Sequence, residues 1–334
     1  MKMSIKLGKT KDSRTRKQPV KAVNITEQEK LLNELKNQQE FTAYLLLKGY
    51  STSTTKRYVK DAETFIKWAE KENIPIEQIS YSDVLHYIQS KRNHVKQRTI
   101  STLINSIKHY FNHLSLIHPT LENPTRQIQI KGVKRKTLYH ILSKQELESL
   151  YNNFKIPTTK THRQLAAIRN KVILGLIIYQ GLGSTELARL TEKDIQLREG
   201  KIYIAGTRRS NERTLKLEAH QILDMMEYTL KTRQEILNFR KNDNHSDLLF
   251  LSVGESNHFS NLIQKLTQKL NKQNSKITTI QQIRTSVITH WLKNYNLRQV
   301  QYMAGHRYVS STEAYFVNDL DDLQEDISKF HPIG

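Results

Sequence analysis

Gly200–Leu217 reads GKIYIAGTRRSNERTLKL, and it breaks the pattern of the chain around it. Ile202 and Ile204 alternate with polar neighbours, a polar centre follows, and alternation resumes over Thr214–Leu217. A period of two puts successive side chains on opposite faces of a strand. Two such runs around a polar centre predict a β-hairpin. The flanking sequence repeats its apolar residues at helical spacing instead. The fold class that follows is mainly α with a small β-sheet.

Working outward, helices are expected at about 144–154 and 162–180 before the hairpin. After it they are expected at about 218–239, 257–272, 279–294, 296–304, 309–315 and 319–328. Ser143 and Glu146 form an S-x-x-E capping box at the start of this region. Further upstream, Thr26–Glu29 fits the same box ahead of Leu31, Leu32, Leu35, Phe41, Tyr44 and Leu45, with Gly49 as the stop. A second helix starts near Ser53 and ends before Pro75. Ser82 is expected to cap a third, and a fourth begins near Lys96 and carries Ile100, Leu103, Ile107, Phe111 and Leu114. The segment HPTLENPTRQIQIKGVKRKT keeps neither period and reads as a linker. The expected organisation is a basic arm over 1–24, a helical domain over 25–117, a linker over 118–139 and an α+β domain over 140–334. The arm is either a solvated tail or an added contact to a polyanion.

Lys and Arg number 53 against 32 Asp and Glu, a net charge of +21. Such an excess repels itself in a compact chain and draws the protein to polyanions. Nucleic acid is the first candidate, an anionic membrane surface the second. The longest apolar run, VILGLIIY over Val172–Tyr179, is too short to span a bilayer. The first residues carry no apolar h-region. The chain has no cysteine, which excludes disulfides and thiolate chemistry and fits a reducing compartment. A cytoplasmic protein facing nucleic acid is the expectation, with no membrane partner.

The chemistry can be narrowed further. There is no dense carboxylate cluster of the kind that holds paired Mg²⁺, no H-E-x-x-H and no phosphate-binding loop. No metal and no cofactor is expected. Cutting a phosphodiester without a metal requires Arg, Lys and His donors around the non-bridging oxygens. The attacking group must then be a side chain, and a tyrosine hydroxyl suffices. Met303–Phe316, MAGHRYVSSTEAYF, holds a histidine, a run of hydroxyl residues, and Tyr315 nine positions after His306.

That stretch resembles the C-terminal box of the tyrosine recombinases, the phage integrase family. QQIRTSVITHWLKNYNLRQVQYMAGH resembles the family's H-x-x-R box and the helix after it, with Arg284 as the arginine. YQGLGSTELARLTEKDI resembles its earlier TGLRxSEL box. YLLLKGYSTSTTKRYVKDAETFIKW resembles its core-binding helical domain. The resemblance covers nearly the whole chain from about residue 30. It implies a DNA clamp with a helical domain on one side of double-stranded DNA, a catalytic domain on the other, and four protomers on two duplexes. It implies that Tyr315 attacks the scissile phosphate, leaving a 3′-phosphotyrosyl bond and a free 5′-hydroxyl. Arg284 and His306 would hold the non-bridging oxygens. The task would be site-specific recombination or integration, as on a mobile element, in the cytoplasm and on the nucleoid. The last helix, with Leu320, Leu323, Ile327 and Phe330, would dock onto a neighbouring protomer or back onto its own.

Three family positions depart from the pattern. Gly183 stands where the family carries its first arginine. Gln281 stands in place of the histidine of H-x-x-R; its amide can donate a hydrogen bond but cannot carry a proton. The hairpin lysine is replaced by Arg208 or Arg209, aligned through Arg213 and Leu217; arginine scarcely deprotonates. Losing one oxyanion-type donor set costs roughly 2.7–4 kcal/mol, so a compensating cation is expected among Arg169, Lys171, Arg208 and Arg209. The bland alternatives are a core role for Tyr315, a packing role for His306 and a surface phosphate contact for Arg284. Tyr308 reads as structural, and Glu186 as ordering its helix against the hairpin. A rival for the whole chain is a DNA-binding accessory of the same fold that cuts weakly or not at all, working beside a complete partner recombinase. A plain transcriptional regulator explains the charge but not the His-to-Tyr box.

Overall fold

The computed structural model describes residues 25–133, 140–159, 162–239, 246–254 and 258–316, with side chains from residue 36 onward. The basic arm over 1–24, the Lys/Arg cluster at 134–136 and the tail after residue 316 lie outside the described residues. The chain divides into two compact units, Met1–Lys136 and Thr137–Gly334.

The first unit holds α1 (Ile25–Leu47), α2 (Thr52–Lys71), α3 (Tyr81–Arg92) and α4 (Gln97–Ile117). Helix α1 begins at Ile25, ahead of the expected Thr26 cap. Helix α2 stops at Lys71 rather than at Pro75; Asn73, with φ of 57°, turns the chain first. The cap of α3 is Ser80, not Ser82. Its side chain accepts from the Asp83 amide while Asp83 Oδ2 accepts from the Ser80 amide at 2.9 Å. The reciprocal pair closes the box at this register, and Ser82 falls inside the first turn. Aromatic rings fill the core: Phe65 meets Tyr87 and Phe111 edge-on, and Phe41 meets Tyr110 the same way.

The expected linker is only partly one. Over 118–133, Leu121, Ile128 and Ile130 pack on the α2–α3–α4 core. The Asn123 side chain donates to Asn112 Oδ1 and the Lys108 carbonyl, and accepts from Thr125. The sequence hid this because three apolar residues at irregular spacing match neither helix nor strand.

The second unit contains α5 (Lys144–Asn152), capped by the Ser143–Glu146 box as read. It continues with α6 (His162–Gln180) and the one-turn α7 (Ser184–Leu187). Twelve of the nineteen α6 residues are buried. A helix apolar on all sides belongs in the middle of a core. The sheet has three strands, β1 (Ile195–Gln196), β2 (Lys201–Ile204) and β3 (Arg213–Lys216), antiparallel in that order. The hairpin is β2–β3, with Ile202 opposite Leu215 and Ile204 opposite Arg213. Strand β1 has two residues, too few to show a period, and the sequence reading did not include it.

Then come α8 (Ala219–Glu227), α9 (Arg233–Phe239), α10 (Phe259–Gln273), α11 (Ile280–Asn294), α12 (Leu297–Ala304) and α13 (Val309–Glu313). The single helix expected over 218–239 carries a π turn at Tyr228–Thr232. The wider turn goes with two buried anchors: the Tyr228 hydroxyl donates to the Leu249 carbonyl at 2.7 Å, and Arg233 reaches the carbonyls of Ser246 and Leu248. Among the described residues no helix is long and apolar enough to cross a membrane.

Candidate active site

Gly183 caps α7, and Glu186 in that helix folds its carboxylate back onto the cap, accepting from the Gly183 amide at 2.8 Å. The same carboxylate carries two guanidinium groups. Oε1 accepts from Arg213 Nη1 at 2.7 Å, and Oε2 accepts from Arg284 Nη1 at 2.8 Å. All three residues are buried. Burial pushes the Glu186 carboxyl up. The hydrogen bond and charge of Arg213, the charge of Arg284 and the Gly183 amide outweigh it and hold the group below the usual carboxylate range. One carboxylate between two guanidinium groups leaves the cluster net positive.

Each arginine is also held by backbone. Arg284 projects from α11 and donates to the carbonyls of Gly181 and Ala304. Arg213 opens β3, donates from Nε to the Met303 carbonyl at 2.8 Å, and leaves Nη2 buried without a partner among the described residues. Gly305 lies directly against it. A Cβ there would come within 2.1 Å of Arg213 Nη1, and the residue sits at φ of 70°, where it ends α12. Both facts demand glycine.

His306 follows at once. Its Nδ1 is 2.9 Å from Thr312 Oγ1. Burial, then the charges of Arg284 and Arg213, outweigh Glu186 and push the imidazole down to about 4. It is therefore neutral at pH 7. Tyr315 stacks on this ring, with centroids 5.5 Å apart and planes 19° from parallel. The Tyr315 ring also rests on Ile288, Val300 and Ala304 and is half-buried. Folding thus brings Arg284, His306 and Tyr315 into one contiguous group from three separate elements.

Other expected residues are placed differently. Gln281 is exposed on the first turn of α11. It lines a groove of about 880 Å³ with Ser184 and Lys265, and among the described residues it makes no hydrogen bond to the arginine–histidine group. Arg208 and Arg209 are exposed at the hairpin apex. Arg169 and Lys171 do not supply the missing cation. Arg169 is buried against the Leu251 carbonyl and Asn170, and Lys171 pairs with Asp224 at 2.9 Å. Tyr308, read as structural, is 64% exposed. In the sequence Arg213 served only to set the hairpin register, and Thr312 was one of the hydroxyl residues of the His-to-Tyr box, with no role of its own. The signal for Arg213 was present: an arginine opposite Ile204 faces the core, so it needs a buried acid.

The sequence model described as the phage integrase family matches residues 140–321, and that of its N-terminal SAM-like domain matches residues 39–116. The chain belongs to the phage integrase family of tyrosine recombinases. Tyrosine recombinase XerC of Staphylococcus aureus strain JH9 is 24% identical over 91% of this chain and 96% of its own length. Its counterpart in Halalkalibacterium halodurans is 26% identical over 90% and 99%. Among solved structures, the XerH site-specific recombinase bound to palindromic difH substrate, a post-cleavage complex, aligns with a TM-score of 0.64. It is 19% identical and covers 82% of this chain and 79% of that one. A lambda integrase dimer bound to a COC′ core site aligns with a TM-score of 0.59 at 12% identity, covering 88% and 81%. These structures share the fold of this family member, a helical domain joined to a mainly α domain with a small sheet.

Proposed function

We propose that the protein is a site-specific DNA recombinase or integrase that cuts and rejoins double-stranded DNA through a 3′-phosphotyrosyl intermediate. The observation that carries this reading is Tyr315 stacked on His306, whose imidazole faces the Arg284–Glu186–Arg213 cluster. The net positive charge of that cluster suits a non-bridging phosphate oxygen. In the cut, the Tyr315 oxygen bonds to phosphorus and gives up its proton. The bond from phosphorus to the 5′-oxygen breaks, and that oxygen keeps the electron pair and takes up a proton. Rejoining is the reverse, with another strand's 5′-hydroxyl attacking, so the phosphotyrosine conserves the bond energy and no nucleotide cofactor enters.

Arg284 and His306 are assigned to the phosphate. A neutral imidazole donates a hydrogen bond without pairing with Glu186 first. Gln281, which lines the groove together with Ser184, is assigned to an assisting contact once DNA is seated. Arg208, or Arg209 beside it, is assigned to the leaving 5′-oxygen, which it stabilises by charge rather than by proton transfer. Gly183 in the first arginine's place leaves Arg213 as the buried cation nearest the Glu186 carboxylate. We assign to it the sharing of that charge.

The protein would work as a tetramer on two duplexes, on nucleoid DNA, with a second recombinase as a possible companion on an asymmetric site. The relatives named above are recombinases and integrases, which supports the reading. The test is a nicked suicide duplex pool drawn from DNA flanking the gene. A covalent protein–DNA adduct that disappears in Tyr315→Phe is the expected result, and sequencing the trapped ends gives the site. DNA retained in a shift assay with no adduct under any condition would leave a clamp that only binds.

A further inference from the structure

The hairpin apex is not a loose loop. Thr207 N donates to the Ser210 carbonyl at 2.7 Å, and Thr207 Oγ1 accepts from the amides of Arg209 and Ser210 at 3.1 Å each. This turn puts Arg208 and Arg209 at its tip. The strand leaving the tip is docked on the histidine segment. Asn211 N donates to the Gly305 carbonyl at 3.0 Å, and Ser210 pairs with His306 as an antiparallel bridge. Further along β3, the Tyr302 hydroxyl lies 3.2 Å from Thr214 N, and Arg213 Nε binds the Met303 carbonyl. The end of α12 and the turn after it therefore lie against 208–214, with one backbone bridge at Ser210–His306. The link at the tip itself is a side chain: Arg307 Nη1 donates to the Arg208 carbonyl at 3.0 Å.

We propose that Arg307 is a positioning residue, locking the hairpin apex to the histidine segment so that Arg208 and His306 meet the scissile phosphate as one rigid body. The proposal rests on the recombinase reading above and adds to it a residue outside the set assigned there. Arg307 is exposed and follows His306 directly in the chain. Its guanidinium is fixed on a carbonyl, in a place where three arginines crowd one turn. Holding like charges together is unfavourable until a phosphate arrives, so an arginine bonded to the backbone here serves geometry. Without it the tip carbonyl turns to solvent and the turn keeps only its base. A displacement of about 1 Å at a reacting group can cost about a hundredfold in rate.

The leaving-group side of the cut can be isolated. A bridging sulfur at the scissile 5′ position departs readily as a thiolate, needs no proton, and depends far less on a cationic partner than an alkoxide does. Arg307→Gln and Arg307→Lys are compared with the wild type on nicked duplexes carrying the site recovered from trapped adducts, with oxygen or sulfur at that position. For Arg307→Gln, cleavage of the oxygen substrate is expected to fall about tenfold or more, while the half-saturating DNA concentration and the sulfur rate stay within about twofold. Arg307→Lys, which keeps the charge and a longer reach to the carbonyl than glutamine, falls between. Equal losses on both substrates with a raised half-saturating concentration make Arg307 an ordinary phosphate contact and overturn the proposal. Amide hydrogen exchange on the protein without DNA gives a second reading. Ser210 and Asn211 should exchange faster in Arg307→Gln, and unchanged exchange also overturns the lock. Absence of any adduct from the wild type is seen before the variants are compared; it defeats the recombinase reading and this assignment with it.

Discussion

His306 shows how a few neighbours fix the state of one residue. Its ring is pressed between a half-buried tyrosine and a cluster with net positive charge, so the neutral form is favoured in the folded protein. The consequence for stability has a definite sign. In the unfolded chain the imidazole takes a proton near its ordinary value of 6.5; in the fold it does so only near 4. Above the upper value both states are neutral and the protonation contribution is complete. As pH falls from about 6.5 to about 4 the unfolded state gains a proton first and stability drops, by about 1–3 kcal/mol for a half-buried group. The Glu186 carboxyl, held below the usual carboxylate range by Arg213 and Arg284, loses its charge later on acidification than an ordinary carboxylate. Denaturant melts of wild type and His306→Gln at several pH values isolate the effect: the stability difference should be flat above pH 6.5 and shift against the wild type below it. One residue earlier the constraint is steric. Gly305→Ala would drive a methyl into Arg213 and hold alanine at positive φ. We expect a loss of at least about 2 kcal/mol in chemical melts, together with slower adduct formation, since Arg213 and His306 would both shift.

At the scale of elements, how much the sequence disclosed depended on whether a local rule governed the segment. Helices α4, α5, α6 and α11 were legible from their apolar residues, with the Ser143 cap marking the start of α5, and the hairpin because alternation has a period of two. The group of Arg284, His306 and Tyr315 was legible through the family's boxes, each a short run of fixed spacing. What stayed hidden is non-local. The pairing of Arg213 with Glu186 joins residues far apart in sequence; the place of Arg213 opposite Ile204 calls for a buried acid but does not say which one. The diversion of Arg169 to the Leu251 carbonyl is of the same kind. The packing of Leu121, Ile128 and Ile130 on the first unit's core was not legible because these residues follow tertiary packing instead of a period. Ile128 is 9% exposed and part of the aromatic core. Ile128→Ala in the full chain should therefore destabilise the first unit by about 2–4 kcal/mol. A free linker would give a change near zero by the same melt.

Over the whole molecule the excess of cations dominates. A charge of +21 on 334 residues is not needed for folding and opposes it through self-repulsion. Its natural balance is a phosphate backbone, whose condensed counterions are released on binding. In the first unit Arg92 and Lys96 stand exposed on the turn between α3 and α4, where the backbone is fixed by well-packed helices on both sides. Rigid placement lets such cations meet phosphates without a large ordering cost. The protein's affinity for duplex DNA should fall steeply with salt, and the slope of log affinity against log salt counts the neutralised phosphates. Replacing both residues with glutamine should lower the magnitude of that slope by about two and weaken binding alike on every sequence. The melting temperature should hold, because neither side chain is buried. A slope unchanged within error would mean that this turn faces away from the duplex, and that the phosphate contacts are made by other cations of the chain.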